Sequence, residues 1–302
     1  MTSNLETMQR AIRLAKKGRY TTDPNPNVGC VIVKQGKIIG EGWHRYAGEA
    51  HAEINALDQA GDEASGAEVF VTLEPCSHTG KTPPCADALI DAGVKKVYTS
   101  MIDPNPLVAG NGLRMLRDAG IETETGLLEA QARELNPGFI KRMESGRPFV
   151  RVKLAMSLDG RTAMSSGESQ WISCDASRDD VQRLRAESSA ILTGIETVLA
   201  DDPSMNVRLS ATELGVEKVR QPARIVLDTK LRMPVTAKIA ALEGGCTVYT
   251  TTKVDEGEDF PFRVKTIDAQ YGLVDLRALL EDLAREQVNL LHVEAVSYTH
   301  LT

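Results

Sequence analysis

Cysteine is scarce: five in 302 residues, an odd number, speak against a disulfide scaffold and for a reducing, cytoplasmic setting. Long apolar runs are missing as well, and no stretch approaches the roughly 18 residues a membrane span needs. The opening MTSNLETMQRAIRLAKKG is amphipathic and lacks the unbroken apolar centre of a secretory signal. Positive charge is in deficit, with 35 Lys and Arg against 42 Asp and Glu and a net charge of −7. That removes the cationic field on which nonspecific binding to a polyanion depends. A small local basic patch survives this argument, but a histone-like or polymerase-like chain does not. Finally, no G-x-G-x-x-G follows a strand-like run, so the fingerprint of a Rossmann cofactor site is absent. Gly244-Gly245 reads as a turn instead.

What is present is an alternation of helical and strand signals. Leu5, Met8, Ile12 and Ala15 recur at helical spacing, with Gly18 placed to end the helix. Val28 to Val33 is a short β-branched run that Gln35-Gly36 turns back toward Ile38 and Ile39, a hairpin. Helix is expected at His51 to Ala60 and Cys85 to Ala92, and strand at Glu68 to Leu73 and Val94 to Ser100. One long helix is expected from Leu127 to Met143. Ser145-Gly146-Arg147-Pro148 then marks a boundary, giving domains 1–146 and 147–302. Beyond it, strands at Phe149 to Ala155, Ala190 to Thr193, up to Asp228, Thr247 to Thr251 and Asn289 to Glu294 alternate with helices at Ala176 to Glu187 and Val274 to Glu286. Strands separated by helices imply βαβ units and largely parallel sheets, so both halves are α/β.

The strongest chemical signal is His51-Ala52-Glu53, then Glu74-Pro75-Cys76, then Cys85. One imidazole and two thiolates are good zinc ligands, and three protein ligands leave a fourth position for water, the mark of a catalytic site. Such a metal lowers the pKa of its water toward about 7. Glu53 follows His51 by two residues on the same expected helix, where it can shuttle the water's proton. His44 or His78 would instead close a four-ligand structural site. The pattern matches the H-x-E…P-C-x-x-C signature of zinc deaminases except that eight residues, Ser77 to Pro84, separate the cysteines. Cys30 is expected in the core, and Cys174 and Cys246 are expected to be structural.

TLEPCSHTGKTPPC, with NPNVGCVIV upstream and GEAHAEINAL between them, closely resembles the bifunctional riboflavin-pathway deaminase-reductase family. The resemblance runs from about residue 5 to about residue 295. It implies a cytidine-deaminase-like three-layer αβα domain that deaminates a diaminopyrimidinone ribosyl phosphate with Zn2+. A second domain, similar to dihydrofolate reductase, then reduces the ribose to a ribityl chain with NADPH. By this resemblance His51, Cys76 and Cys85 hold zinc, Glu53 moves protons, and Asn25 and Lys81 bind substrate. In the second half the matching cofactor positions are Ala155, Trp171, Thr197, Asp201 and Thr229, and the substrate positions are Ser169, Arg185, Met205, Arg208 and Glu294. Arg185 and Arg208 suit phosphate because guanidinium forks match its oxygens, and Lys153 is a strand cation that would line the same cleft.

After Glu294-Ala295 the chain departs from the family pattern and ends in VSYTHLT. The reductase half is therefore expected to be truncated, or to carry a foreign tail at 296–302, and to bind NADPH weakly. The expected partner is a small phosphorylated pyrimidine, with neither nucleic acid nor membrane, and self-association into a homo-oligomer stays open. Two alternatives compete: a nucleoside or nucleic-acid base deaminase with an accessory domain, and a noncatalytic zinc-stabilised binding protein.

Overall fold

The computed structural model describes residues 3–77, 84–106, 108–162, 172–254 and 259–294. The chain divides into two units, Met1–Ser145 and Gly146–Thr302. Among the described residues no helix is long and apolar enough to cross a membrane.

The first unit opens with helix α1 (Asn4–Ala15), started by a capping box in which Ser3 and Glu6 satisfy each other's backbone N–H groups. Strands β1 (Gly29–Lys34) and β2 (Lys37–Trp43) form the hairpin, turning through Gln35 and Gly36, both at positive φ. Then come α2 (Ala52–Ala60), β3 (Glu68–Val71), α3 (Cys85–Asp91), β4 (Lys96–Thr99), α4 (Asn111–Asp118) and β5 (Glu122–Thr125). The sheet order is β2-β1-β3-β4-β5. β1 runs antiparallel to both of its neighbours, whereas β3, β4 and β5 are parallel.

Alternation along the strands gives the sheet two apolar faces. Cys30, Ile32, Val69 and Val71 pack with Ala52, Ala56, Leu89, Leu113 and Leu116 of α2, α3 and α4. Val31, Val33, Phe70 and Tyr98 pack with Met8, Ala11 and Ile12 of α1. Full burial of a side chain such as Met8 is worth about 1.5–3 kcal/mol. These are the three layers. The placement of α2 depends on two bare backbone positions on β2: a Cβ at Gly40 or Gly42 would stand 2.2 Å from the carbonyl oxygen of Ala56 or Ala52. The helix therefore rests directly on the strand.

The single helix expected from Leu127 to Met143 is instead two, α5 (Glu129–Arg133) and α6 (Pro137–Ser145). Pro137 cannot continue a preceding turn but suits a first helical position. Asn136 is meanwhile committed elsewhere: its Oδ1 accepts from the Asn27 N–H (2.6 Å) and its Nδ2 donates to the Asn27 carbonyl (2.9 Å).

The second unit contains β6 (Phe149–Lys153), α7 (Asp175–Glu187), β7 (Ala190–Gly194), α8 (Ile195–Asp201), α9 (Ala211–Leu214), β8 (Ala223–Leu227), α10 (Lys238–Ala241), β9 (Cys246–Thr250) and β10 (Arg263–Thr266). A small hairpin, β11 (Ala269–Gln270) and β12 (Leu273–Val274), leads to α11 (Leu276–Arg285) and β13 (Leu290–Glu294). Six strands form one sheet, β10-β9-β8-β7-β13-β6, parallel throughout. Its centre, β7, is fully buried, as strands covered on both faces must be. Its edge strand β6 leaves Phe149, Val150 and Val152 exposed. Gly244 and Gly245 turn the chain into β9, both at positive φ.

Candidate active site

Three elements deliver the metal-type ligands of the first unit. His51 is the N-cap of α2, Cys85 is the first residue of α3, and Cys76 lies in irregular chain beyond β3. The His51 Nδ1 is 3.6 Å from the Cys76 sulfur and 3.3 Å from that of Cys85, and all three ligand atoms lie within 4.8 Å of one another. Tetrahedral zinc with ordinary Zn–N and Zn–S bonds separates such a pair by about 3.6 Å, so this donor set fits the ion. The Cys85 N–H donates to the Cys76 sulfur at 3.2 Å. A hydrogen bond from Cys85 and the nearby His51 pull the Cys76 thiol well below its usual pKa, while sharing with Cys76 and burial push Cys85 up. Zinc favours the thiolate form of both.

Glu53 stands in the first turn of α2, only 3% exposed. Burial pushes its pKa up to about 7 against the pull of His51. Glu53 is not one of the three clustered ligands, but its carboxyl interacts with His51, Cys76 and Cys85 and so lies beside them.

His44 does not close a fourth corner. Its Nδ1–H donates to the Ala50 carbonyl at 3.1 Å, which leaves Nε2 to accept from Asn25 Nδ2, also at 3.1 Å; the tautomer is assigned from these partners. Its ring meets that of His51 edge to face with centroids 5.2 Å apart, and burial holds its pKa down. The Asn25 amide is thereby oriented by a buried imidazole, a role that residue types alone did not reveal. Among the described residues the cluster has three ligands. His78 and Lys81 lie outside the described residues.

In the second unit, four of the five positions matched to substrate gather in one place. Arg185 Nε and Nη2 donate to the two carboxylate oxygens of Glu294 at 2.6 and 2.7 Å, and its Nη1 donates to the Asn206 carbonyl at 3.0 Å. Asn206 follows Met205, a buried residue at φ 46°, and the Arg208 N–H donates to Gln182 of α7 at 2.9 Å. The fork of Arg185 is therefore turned onto Glu294 rather than outward, while Arg208 is exposed. Burial acts to raise the Glu294 pKa, but the Arg185 and His292 contacts override it and hold the carboxyl at about 2. This ion pair spans 109 residues of sequence.

The cofactor positions are more scattered. Ala155 follows the end of β6, Thr197 is buried near the start of α8, and Thr229 follows β8. These mark the carboxyl ends of parallel strands, where open α/β sheets bind ligands. Asp201 is at the opposite end of α8. Sequence reading passed over the hydroxyls around Thr229: its carbonyl accepts from Thr250, Thr251 and Thr252 at 3.1, 3.1 and 3.2 Å. Thr193, at the carboxyl end of β7, has a buried hydroxyl with no partner among the described residues. Lys153 ends β6 in register with Glu294. Ser169, Trp171 and the tail 295–302 lie outside the described residues.

The remaining cysteines differ from one another. Cys30 and Cys246 are buried, but Cys174 is exposed. It is the N-cap of α7 with its sulfur 3.4 Å from Ser177 Oγ.

The chain matches the family profile described as the RibD C-terminal domain over residues 148–300. Residues 1–101 match the cytidine and deoxycytidylate deaminase zinc-binding region. It is 52% identical over 296 residues to the riboflavin biosynthesis protein RibD of Escherichia coli K12, covering 95% of this chain and 80% of that protein. Identity to RibD of Haemophilus influenzae is 52% over 294 residues, with coverages of 95% and 78%. Among solved structures, Acinetobacter baumannii RibD (form 1) superposes with a TM-score of 0.88 at 50% identity, covering 96% of this chain and 80% of that one. A diaminohydroxyphosphoribosylaminopyrimidine deaminase/5-amino-6-(5-phosphoribosylamino)uracil reductase from Thermotoga maritima gives 0.84 at 37% identity, with the same coverages.

Proposed function

The chain belongs to the RibD family, the bifunctional deaminase-reductases of riboflavin biosynthesis, and we propose that each unit carries one of the two reactions. The first unit hydrolyses the exocyclic amine of 2,5-diamino-6-ribosylamino-4(3H)-pyrimidinone 5′-phosphate, releasing ammonia and 5-amino-6-ribosylaminouracil 5′-phosphate. The second reduces the ribosyl group of that product to a ribityl chain with NADPH. The enzyme works in the cytoplasm, in keeping with five free cysteines.

His51, Cys76 and Cys85 hold zinc, which when bound supplies an acidified water as nucleophile. Glu53 would take one proton from that water and deliver it to the ring nitrogen, then take the second from the hydroxyl added to the ring carbon and pass it to the departing amine, which leaves as ammonia while the carbon keeps the oxygen as a carbonyl. Burial keeps Glu53 from bulk solvent, so the proton it accepts goes to the substrate. Asn25, with one amide hydrogen committed to His44, offers its remaining polar atoms to the pyrimidinone, and Lys81 binds the phosphate. In the second unit Ala155, Trp171, Thr197, Asp201 and Thr229 hold the cofactor, which supplies the hydride. Ser169, Arg185, Met205, Arg208 and Glu294 hold the sugar phosphate, and Arg185 exchanges part of its hold on Glu294 when it meets an anion.

The observation that carries this reading is the triangle of one imidazole nitrogen and two sulfurs at tetrahedral spacing, with a buried carboxyl alongside. A paired assay on the purified chain tests it: zinc content, ammonia release from the diaminopyrimidinone ribosyl phosphate, and NADPH oxidation by its deaminated product. One zinc per chain with ammonia release supports the assignment. Full turnover in metal-free protein overturns the first half, and absence of NADPH oxidation overturns the second.

A further inference from the structure

We infer that Glu74 is a positioning residue for Cys76, fastening the segment that carries this ligand to the backbone at the start of α4. The inference rests on the assignment of Cys76 as a zinc ligand.

Of the three ligands, two are held by helices, His51 as the N-cap of α2 and Cys85 as the first residue of α3. Cys76 has neither helix nor strand around it, since β3 ends at Val71. The start of α3 holds Cys76 itself, through the Cys85 N–H on its sulfur and the Ala86 N–H on its carbonyl, both at 3.2 Å; a metal site needs every ligand held to within a few tenths of an ångström, so the chain leading into it must be fixed as well. Glu74 stands two residues earlier and is 3% exposed. Its carboxylate meets four backbone N–H groups: Oε2 accepts from Asp103 (3.1 Å) and Gly110 (2.9 Å), and Oε1 accepts from Gly112 (2.9 Å) and Leu113 (3.2 Å). Gly110 is the N-cap of α4, and Gly112 and Leu113 lie in its first turn. The carboxylate thus satisfies the otherwise unpaired N–H groups of a helix start, where negative charge is favoured.

A second contact works with the first. A Cβ at residue 112 would stand 2.0 Å from the Pro75 carbonyl oxygen, so only glycine lets the chain before Cys76 come this close to α4. The Glu74 N–H donates in turn to the Met101 carbonyl at 3.0 Å. Glu74 and Pro75 are therefore pinned from both sides, and Cys76 follows immediately. A buried residue whose only role was to fill space would be apolar. Here both carboxylate oxygens are used, and what they hold in place is the approach to a ligand.

The test uses the full chain in its zinc form and as the cobalt-substituted protein. Glu74→Gln keeps the shape but turns one acceptor into a donor facing two N–H groups. Glu74→Asp keeps the charge but withdraws it by one methylene, and Gly112→Ala displaces Pro75 with the carboxylate intact. Zinc affinity by chelator competition should fall about 10- to 100-fold in Glu74→Gln, the range found when groups that orient metal ligands are removed. The thiolate-to-cobalt charge-transfer band should shift, and kcat for deamination should fall more than KM changes. Glu74→Asp should recover part of each loss, and Gly112→Ala should move the same readouts. A folded Glu74→Gln protein with wild-type zinc affinity and cobalt spectrum overturns the inference, even if its melting temperature is lower. If Glu74→Gln does not fold, wild-type metal readouts in both Glu74→Asp and Gly112→Ala overturn it equally. If Cys76→Ser keeps wild-type zinc affinity, it is the ligand assignment that fails.

Discussion

The two units share an α/β architecture and differ in how their candidate sites are assembled. In the first, a mixed sheet and two helix starts bring three ligand atoms within 4.8 Å of one another, with Glu53 sealed beside them. In the second, beside an all-parallel sheet, the candidate residues come from strand ends, helices and a loop, and the tightest contact there is internal, Arg185 on Glu294. The difference follows from the chemistry assigned to each. A metal acts only where its ligands converge, so the protein must build that point in advance. Hydride transfer needs a long cofactor held in line with a sugar, and many modest contacts can do this.

The largest effect should come from breaking the point of convergence. Cys85→Ser should abolish stoichiometric zinc and ammonia release together while leaving NADPH oxidation intact, measured by metal analysis and paired assays. Next, Glu53→Gln should keep zinc but lower kcat for deamination by about 10²–10⁴-fold, the usual contribution of a positioned acid–base group. Retained turnover in the zinc-loaded variant removes Glu53 from the shuttle role.

In the second unit, removing one side of a buried pair exposes what the pair was holding. Glu294→Gln should destabilise that unit by about 3 kcal/mol and leave the melting of the first unit unchanged, resolved by calorimetry. The same pair sets a pH dependence. The Glu294 carboxyl titrates at about 2 in the folded chain against an ordinary 4.5. Its stabilisation is therefore complete above pH 4.5 and is lost as the pH falls toward 2. The acid slope of the second unit's melting temperature should flatten in Glu294→Gln. The smallest effect belongs to the exposed edge: Val152→Thr on β6 should change stability by no more than about 0.5 kcal/mol. A larger loss would mean that this edge is covered in solution.

Legibility from sequence follows the same division. His51, Glu53, Cys76 and Cys85 stood out because few residue types ligate zinc and their spacing is restricted. Glu74 stands within that motif, yet its role is not legible there, because its partners are backbone N–H groups 29 to 39 residues further on. Asn136 escaped notice for a similar reason, since its partner is the backbone of Asn27. Pro137, inside the stretch expected as one helix, is the visible signal for a second helix start. β5, Glu-Thr-Glu-Thr at a sheet edge, carries no apolar signal to read. Arg185 and Glu294 were matched one at a time, and only folding shows that they hold each other.

The seating of α2 on β2 has its own consequence for variation. With bare backbone at Gly40 and Gly42 under the helix, nothing compressible lies between the strand and the segment bearing His51 and Glu53. A single methyl added there, remote from any substrate, would be transmitted as a rigid displacement of an imidazole and a carboxyl. Tuning of the chemistry in related sequences should therefore fall on the loops around the pocket, while these two positions stay fixed.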